Sequence, residues 1–256
     1  MYNRPRVIPV LGIIDDDLVK TIKYTSPRYL GDPINAVKIF NGKYVDELVL
    51  LDIRASLENK PINFELLVNI AQQAFMPLGY GGGIRTFDEV KKLFRIGYEK
   101  VIFNTAFWEN PELIRKSAEY AGSQSVVVSL DFKKSITGKY NLYVKSGTIK
   151  TGFSIADVIN RLKNLNVGEV IVNVIDRDGT MSGYDLDLIR MISESVDIPV
   201  IANTGARNTE DFKDAINSGA HAVAATSMFV YYGRLKAVLI NFPNGNILDT
   251  DLKNEK

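Results

Sequence analysis

Short runs rich in β-branched residues recur along the chain, separated by stretches in which apolar positions return every three or four residues. The runs predict strands over Val7–Leu11, Glu47–Leu51, Pro77–Tyr80, Lys100–Phe103, Ser125–Leu130, Glu169–Val174, Pro199–Ala202 and Ala222–Ala225. Several are apolar throughout, the pattern of strands covered on both faces. The helical period marks Phe87–Arg95, Pro111–Tyr120, Ile155–Leu165, Asp185–Ser193 and Thr209–Ser218. The segment MFVYYGRLKAVL (Met228–Leu239) also reads as helical, with Trp108 and the Tyr231-Tyr232 pair expected in helix packing. One connection differs: Lys133–Gly152 alternates around Thr137-Gly138 and predicts a β-hairpin inserted after strand five. Eight strands alternating with helices imply a single α/β unit, a (β/α)8 TIM barrel. Residues 1–245 are assigned to the barrel, and 246–256 to a polar tail expected to fray.

The two halves of the chain echo one another. LLDIRAS, containing Asp52, precedes the turn Gly81-Gly82-Gly83 and then Asn104-Thr105-Ala106. VIDRDGT, containing Asp176 and Asp178, precedes Asn203-Thr204-Gly205 and then Ala225-Thr226-Ser227. Asp52 to Gly81 spans 29 residues and Asp176 to Asn203 spans 27. Self-similarity at a fixed period marks duplication, here of a four-stranded half-barrel.

Composition narrows the setting. The length of 256 residues suits one barrel, and 46% hydrophobic residues suffice for its core. A net charge of +1, with acids interleaved among the bases, argues against a nucleic-acid or membrane surface as partner. The chain has no cysteine, so disulfides, thiol nucleophiles and cysteine metal sites are excluded. No apolar segment reaches the ~18 residues of a membrane span, and Val7–Ile14 runs into Asp15-Asp16-Asp17 without a signal-peptide cleavage site. The expectation is a soluble, reduced, cytoplasmic protein with no cofactor and no metal.

Candidate chemistry lies where strands end, the face that barrels use for catalysis. Glycine lets a backbone approach an anion closely. Gly82, Gly83, Asn104 and Thr105 in one half, and Gly205, Thr226 and Ser227 in the other, therefore read as two phosphate cradles. Matching places in two half-barrels point to one small molecule carrying two phosphates. Asp52, Asp131, Asp176 and Asp178 follow apolar strands directly, and Asp131 is the candidate for proton transfer. Asp176-Arg177-Asp178 reads either as a self-contained ion-pair turn or, with Gly179-Thr180, as a phosphate contact. Asp15-Asp16-Asp17 reads as a solvated turn rather than a Mg²⁺ cluster, and His221, before strand eight, lies at the wrong end for catalysis. At that lower end Arg6, Glu47, Lys100 and Glu169 stand at the starts of strands one, two, four and six, with alternating sign.

RVIPVL, DLVKT, GDP at Gly31–Pro33, VDELVLLDI, GGGI, NTA, SVVVSLDFKK, TGF and above all IDRDGTMSGYD resemble the cyclase subunit of imidazole glycerol phosphate synthase, from about Arg6 to Phe242. The resemblance implies a lyase-type barrel paired with a glutaminase docked at its bottom. Ammonia would cross the barrel to a bis-phosphorylated ribulosyl aminoimidazole-carboxamide at the mouth, giving imidazole glycerol phosphate in histidine biosynthesis. It assigns one phosphate to Gly83, Asn104 and Thr105, and the other to Asp178, Gly179, Gly205, Thr226 and Ser227. It assigns an ammonia gate to Arg6, Glu47, Lys100 and Glu169, and a mobile-loop lysine to Lys20.

The resemblance also implies two catalytic aspartates. One matches Asp131, but the other falls on Gly12, which has no side chain to carry a proton. An acid–base group contributes on the order of 10²–10⁴-fold. A retained gate with a lost acid resembles the paralogues of bacterial surface-polysaccharide (lipopolysaccharide) pathways, which work with a glutaminase to supply ammonia to a sugar amidotransferase. The other readings are a histidine-pathway cyclase with a rearranged acid, a non-catalytic barrel that binds a phosphometabolite, and the sister isomerase, which needs no charged gate.

Overall fold

The computed structural model describes residues 4–252. Eight parallel strands form the barrel: β1 (Arg6–Ile14), β2 (Leu48–Asp52), β3 (Leu78–Gly81), β4 (Lys100–Phe103), β5 (Val126–Lys134), β6 (Glu169–Val174), β7 (Val200–Ala202) and β8 (Ala222–Ala225). Each pairs with the next, β8 pairs with β1 (Arg6↔Ala222), and β5 pairs with β6 (Asp131↔Asn173), so the sheet is closed. Helices lie between the strands.

Strand alternation builds two cores. Inward-facing Ile8, Val10, Val49, Ile102, Val127, Ile171, Ile201, Ala222 and Ala224 fill the barrel interior. Outward-facing neighbours such as Val7, Leu11, Leu48 and Val128 pack under the helices. The helices start where capping residues stand: Thr86 and Glu89 form a capping box before Phe87–Arg95, as do Ser154 and Asp157 before Ile155–Asn164.

Beyond Leu130, β5 continues to Lys134 and pairs antiparallel with Tyr140–Val144, which in turn pairs with Ile149–Lys150. A second excursion follows β1: Asp17–Ile22 pairs antiparallel with β1 and with Thr25–Gly31. Helices not anticipated from the sequence span Pro33–Asn41, Ala55–Glu58, Phe64–Ala71 and Thr105–Glu109.

Two expectations are corrected. Met228–Leu239 is not one helix. Ser227–Val230 is helical, and then Tyr231–Tyr232 pairs with Ala237–Val238 around a turn with Gly233 and Lys236 at positive φ. Tyr231 therefore lies in a hairpin, where its ring carries the Arg28 guanidinium at 5.3 Å. The polar tail is not frayed over its described part either. Gly245–Asp251 is a helix that buries Leu248, and Asp251 accepts from Thr209 at 2.9 Å. Residues 253–256 lie outside the described residues. Trp108, on Thr105–Glu109, stacks on Phe153 at 4.3 Å. Among the described residues, no helix is long and apolar enough to cross a membrane.

Candidate active site

The C-terminal strand ends enclose a cavity of about 350 Å³. Of the mouth residues singled out from the sequence, Gly12, Lys20, Asp52, Gly82, Gly83, Asn104, Thr105, Asp131, Asp178, Gly179, Gly205, Thr226 and Ser227 line it, whereas Asp176 and Thr180 do not. Tyr24, Asn173, Asn203 and Thr204 join them; the sequence places Asn203 and Thr204 in the turn with Gly205 that reads as part of the second phosphate cradle, and gives Tyr24 and Asn173 no role. Of those two, only Asn173 carried a usable signal, as the polar inward position at the mouth end of the run EVIVNV, whose other polar residue, Glu169, stands in the lower ring.

In the first half, Gly82 (φ +114°) leaves no room for a side chain, since a Cβ there would lie 2.3 Å from the Asp52 carbonyl. Asp52 itself accepts from the amides of Arg54 (3.0 Å) and Ala55 (2.8 Å). Burial raises its pKa, and those two amides pull against the rise. Its carboxylate therefore braces its own turn. Asn104 turns its amide sideways, donating to the Ser129 carbonyl (2.9 Å) and to Asp131 Oδ2 (3.1 Å).

In the second half, a Cβ on Gly205 (φ +108°) would lie 2.3 Å from the Gly183 carbonyl. Thr226 donates its hydroxyl to the Val10 carbonyl. Ser227 Oγ is buried in the cavity wall with no hydrogen-bond partner. A buried unpaired hydroxyl costs about 1–3 kcal/mol, so a ligand oxygen placed there would recover that energy.

Asp178 is the hub of the opposite wall. It accepts from Lys20 Nζ (2.5 Å), Thr21 Oγ1 (2.7 Å) and the Tyr24 amide (3.2 Å). The Asp176-Arg177-Asp178 turn is thus not self-contained: Asp176 accepts from the Lys134 amide, and Arg177 reaches the Ser182 and Gly183 carbonyls. Nor does Lys20 project from a free loop. It lies buried in the strand Asp17–Ile22, where burial lowers its pKa and Asp178 opposes that fall. Gly179 permits this closure, because a Cβ there would lie 2.4 Å from the Thr21 carbonyl.

Asp131 ends the apolar part of β5 and is 6% exposed. Oδ1 accepts from the Tyr24 hydroxyl (2.9 Å) and Asn173 Nδ2 (2.8 Å). Asn173 accepts in turn from Asn203 Nδ2 (2.8 Å). Burial pushes the Asp131 carboxyl up to about 6, aided by the Asp178 charge and opposed by the hydrogen bonds from Tyr24, Asn173 and Asn104. A carboxyl held there can take and return a proton near neutral pH. Gly12 stands on the inward face of β1, two residues beyond Val10, opposite Val19 of the hairpin.

At the other end the four charges close into a ring. Arg6 bridges Glu47 (2.5 Å) and Glu169, and Lys100 bridges Glu47 (2.8 Å) and Glu169 (2.7 Å). His221 is exposed at this lower end, its Nδ1 accepting from the Val200 amide. Asp15 pairs with Lys60 and Asp16 accepts from Asn63. No group of three or more metal-ligating side chains occurs among the described residues.

A closed eightfold barrel with a polar mouth and a charged lower ring defines an α/β-barrel enzyme class, and comparison narrows it. The family described as "Histidine biosynthesis protein" matches residues 6–236. A putative imidazole glycerol phosphate synthase subunit HisF of Leptospira borgpetersenii is 46% identical over 244 residues, 94% of this chain and 96% of its own. A putative subunit hisF2 of Pseudomonas aeruginosa is 46% identical, covering 96% and 98%. The imidazole glycerol phosphate synthase subunit HisF of Alkaliphilus metalliredigens is 39% identical, covering 88% and 90%. The chain belongs to this histidine-biosynthesis family, among its imidazole glycerol phosphate synthase subunits.

Proposed function

We propose that this chain is the synthase subunit of a glutamine amidotransferase complex, receiving ammonia from a glutaminase at the barrel bottom and delivering it for amidation of a bacterial surface sugar. The observation that carries the sugar reading is Gly12. The inward position on β1 where the resemblance implies a catalytic acid has no side chain, while Asp131 stands across the cavity. The lower ring supports ammonia delivery. Above it the barrel interior is hydrocarbon, from Ile8 and Val10 to Ile171 and Ile201, and a charge is expensive to bury there. What crosses has to be small and neutral, ammonia rather than ammonium.

The relatives that are named fall in two groups by identity, and neither set of names states an ammonia acceptor. Relatives named as putative subunits, including ones designated hisF2 and hisF3, are 42–46% identical, and those named without that qualifier are 38–39% identical. At the mouth, Ser227, Gly205 and Thr226 would hold one phosphate of a ligand and Gly83 and Thr105 the other, with a sugar amidotransferase as the third partner. The second reading, a histidine-pathway cyclase, is favoured by Asp131, whose raised pKa suits proton transfer with or without a partner acid.

The deciding experiment is ammonia-dependent turnover of the bis-phosphorylated carboxamide intermediate by the wild type beside Gly12→Asp. The sugar reading expects little wild-type turnover and a gain in Gly12→Asp. A Cβ at Gly12 meets the Val19 carbonyl at 3.2 Å, so the hairpin has to give by a few tenths of an ångström. Robust wild-type turnover would make the chain a histidine-pathway cyclase.

A further inference from the structure

The hairpin after β1 ends in a turn that backbone preference alone would not select. Lys23 and Tyr24 form a two-residue turn with φ of +52° and +62°. Both central residues sit in the left-handed region, where Asn-Gly is the favoured pair and a bulky side chain is strained. That strain is held in place by contacts from three segments. The Lys23 amide donates to the Asp178 carbonyl (2.9 Å), and the Tyr24 amide to the Asp178 carboxylate. The Tyr24 ring lies against Gly147 of the β5 insert, where a Cβ would come within 3.0 Å of Tyr24 Cδ2. The net effect is to place one phenolic hydroxyl 2.9 Å from Asp131 Oδ1.

We infer that Tyr24 is a positioning residue for Asp131, its hydroxyl orienting the carboxylate when the hairpin is down over the mouth. The hairpin does not need that hydroxyl to stay closed, since Asp178 anchors it through Lys20, Thr21 and two backbone amides. The hydroxyl serves the carboxylate. With Tyr24 and Asn173 both on Oδ1, that oxygen is committed, while among the described residues Oδ2 takes only Asn104 and keeps a lone pair for a substrate proton. Gly12 offers no second group on β1, so the hairpin tip supplies the contact from that side. The inference rests on the proposed role of Asp131 in proton transfer, not on which acceptor receives the ammonia.

The electrostatics give the sign of the effect. The charged neighbours of Asp131 are Asp178, beyond β6, and its counter-ion Lys20 on the hairpin, with Asp52 on the same cavity wall. Asn104 just after β4, Ser129 on β5 and Asn173 on β6 are neutral. Burial and the carboxylates of Asp131 and Asp178 hold the Tyr24 phenol well above its usual pKa, so it remains a donor through neutral pH. Its hydrogen bond favours the charged form of Asp131. Removing the hydroxyl raises the Asp131 pKa.

The test is a pH titration of the full chain labelled with ¹³C-aspartate, the Asp131 resonance being identified by its loss in Asp131→Asn. The expected wild-type midpoint is about 6. Tyr24→Phe should raise it by about one pH unit, the size of one charge-assisted hydrogen bond. Gly179→Ala, which pushes the hairpin away at the Thr21 carbonyl without altering any charge, should raise it in the same direction. A merely structural tyrosine would leave the midpoint in place. Midpoints within about 0.2 unit of wild type in both variants overturn the inference, whatever the turnover assay on Gly12→Asp shows.

Discussion

Thr204 holds a β-branched side chain at φ +70°, inside the turn between β7 and its helix. Such a residue in the left-handed region is strained by about 1–3 kcal/mol, and the fold retains it because its hydroxyl serves two groups. Oγ1 accepts from the Val174 amide at 2.9 Å and donates to the Val174 carbonyl at 3.2 Å, tying β6 to β7. Thr204→Ala keeps the strain and strands a buried amide, so it should lose about 1–3 kcal/mol. Thr204→Gly strands the same amide but relieves the strain. Urea denaturation should therefore rank wild type and Thr204→Gly above Thr204→Ala, the reverse of the usual alanine-over-glycine order. At this scale the sequence disclosed which residue types end the strands, but not how they spend their hydrogen bonds. Asn104 read as a phosphate ligand, yet its amide is engaged by Asp131. Nothing local marks Tyr24 as a partner of Asp131, because a hairpin has to carry it across the mouth.

The hairpin Asp17–Gly31 covers the Asp178 side of the cavity, and one ion pair, Lys20 with Asp178, lies at its base. Both side chains are more than nine-tenths buried. Removing one partner of such a pair costs about 3–5 kcal/mol, whereas about 1.4 kcal/mol already raises an open population tenfold. Lys20→Met should therefore speed limited trypsin cleavage after the exposed Lys23 and Arg28 by at least about tenfold, read by mass spectrometry of early fragments. An unchanged cleavage rate would mean that the backbone pairing with β1 closes the hairpin alone. The barrel strands were legible because continuous apolar runs such as SVVVSL leave little alternative. This hairpin was not, since its outer arm TSPRYLG is mostly exposed and its turn is Lys-Tyr rather than Asn-Gly. MFVYYGRLKAVL misled for the opposite reason. Its apolar spacing suits a helix, and only Gly233 hinted at the turn that splits it.

Across the whole barrel, the lower ring ties β1, β4 and β6, and Glu47 just before β2, into one neutral set of two cations and two carboxylates. Glu47, Lys100 and Glu169 are at most 14% exposed, and only Arg6 reaches 32%. Burying such a set gains little stability over apolar packing, but unbalancing it is expensive. Lys100→Met leaves Glu47 and Glu169 sharing Arg6 and should cost about 3–5 kcal/mol. Adding Glu169→Met restores neutrality as a single Arg6–Glu47 pair, so the double variant should be more stable than the single one. Urea midpoints of the two proteins and the wild type decide it. A double variant less stable than Lys100→Met would mean that each contact stabilises independently of the balance of charge. If charge balance governs, the ring is held closed by its own neutrality. Under the proposed delivery of ammonia, its opening would then need a glutaminase that offers a compensating charge at the barrel bottom.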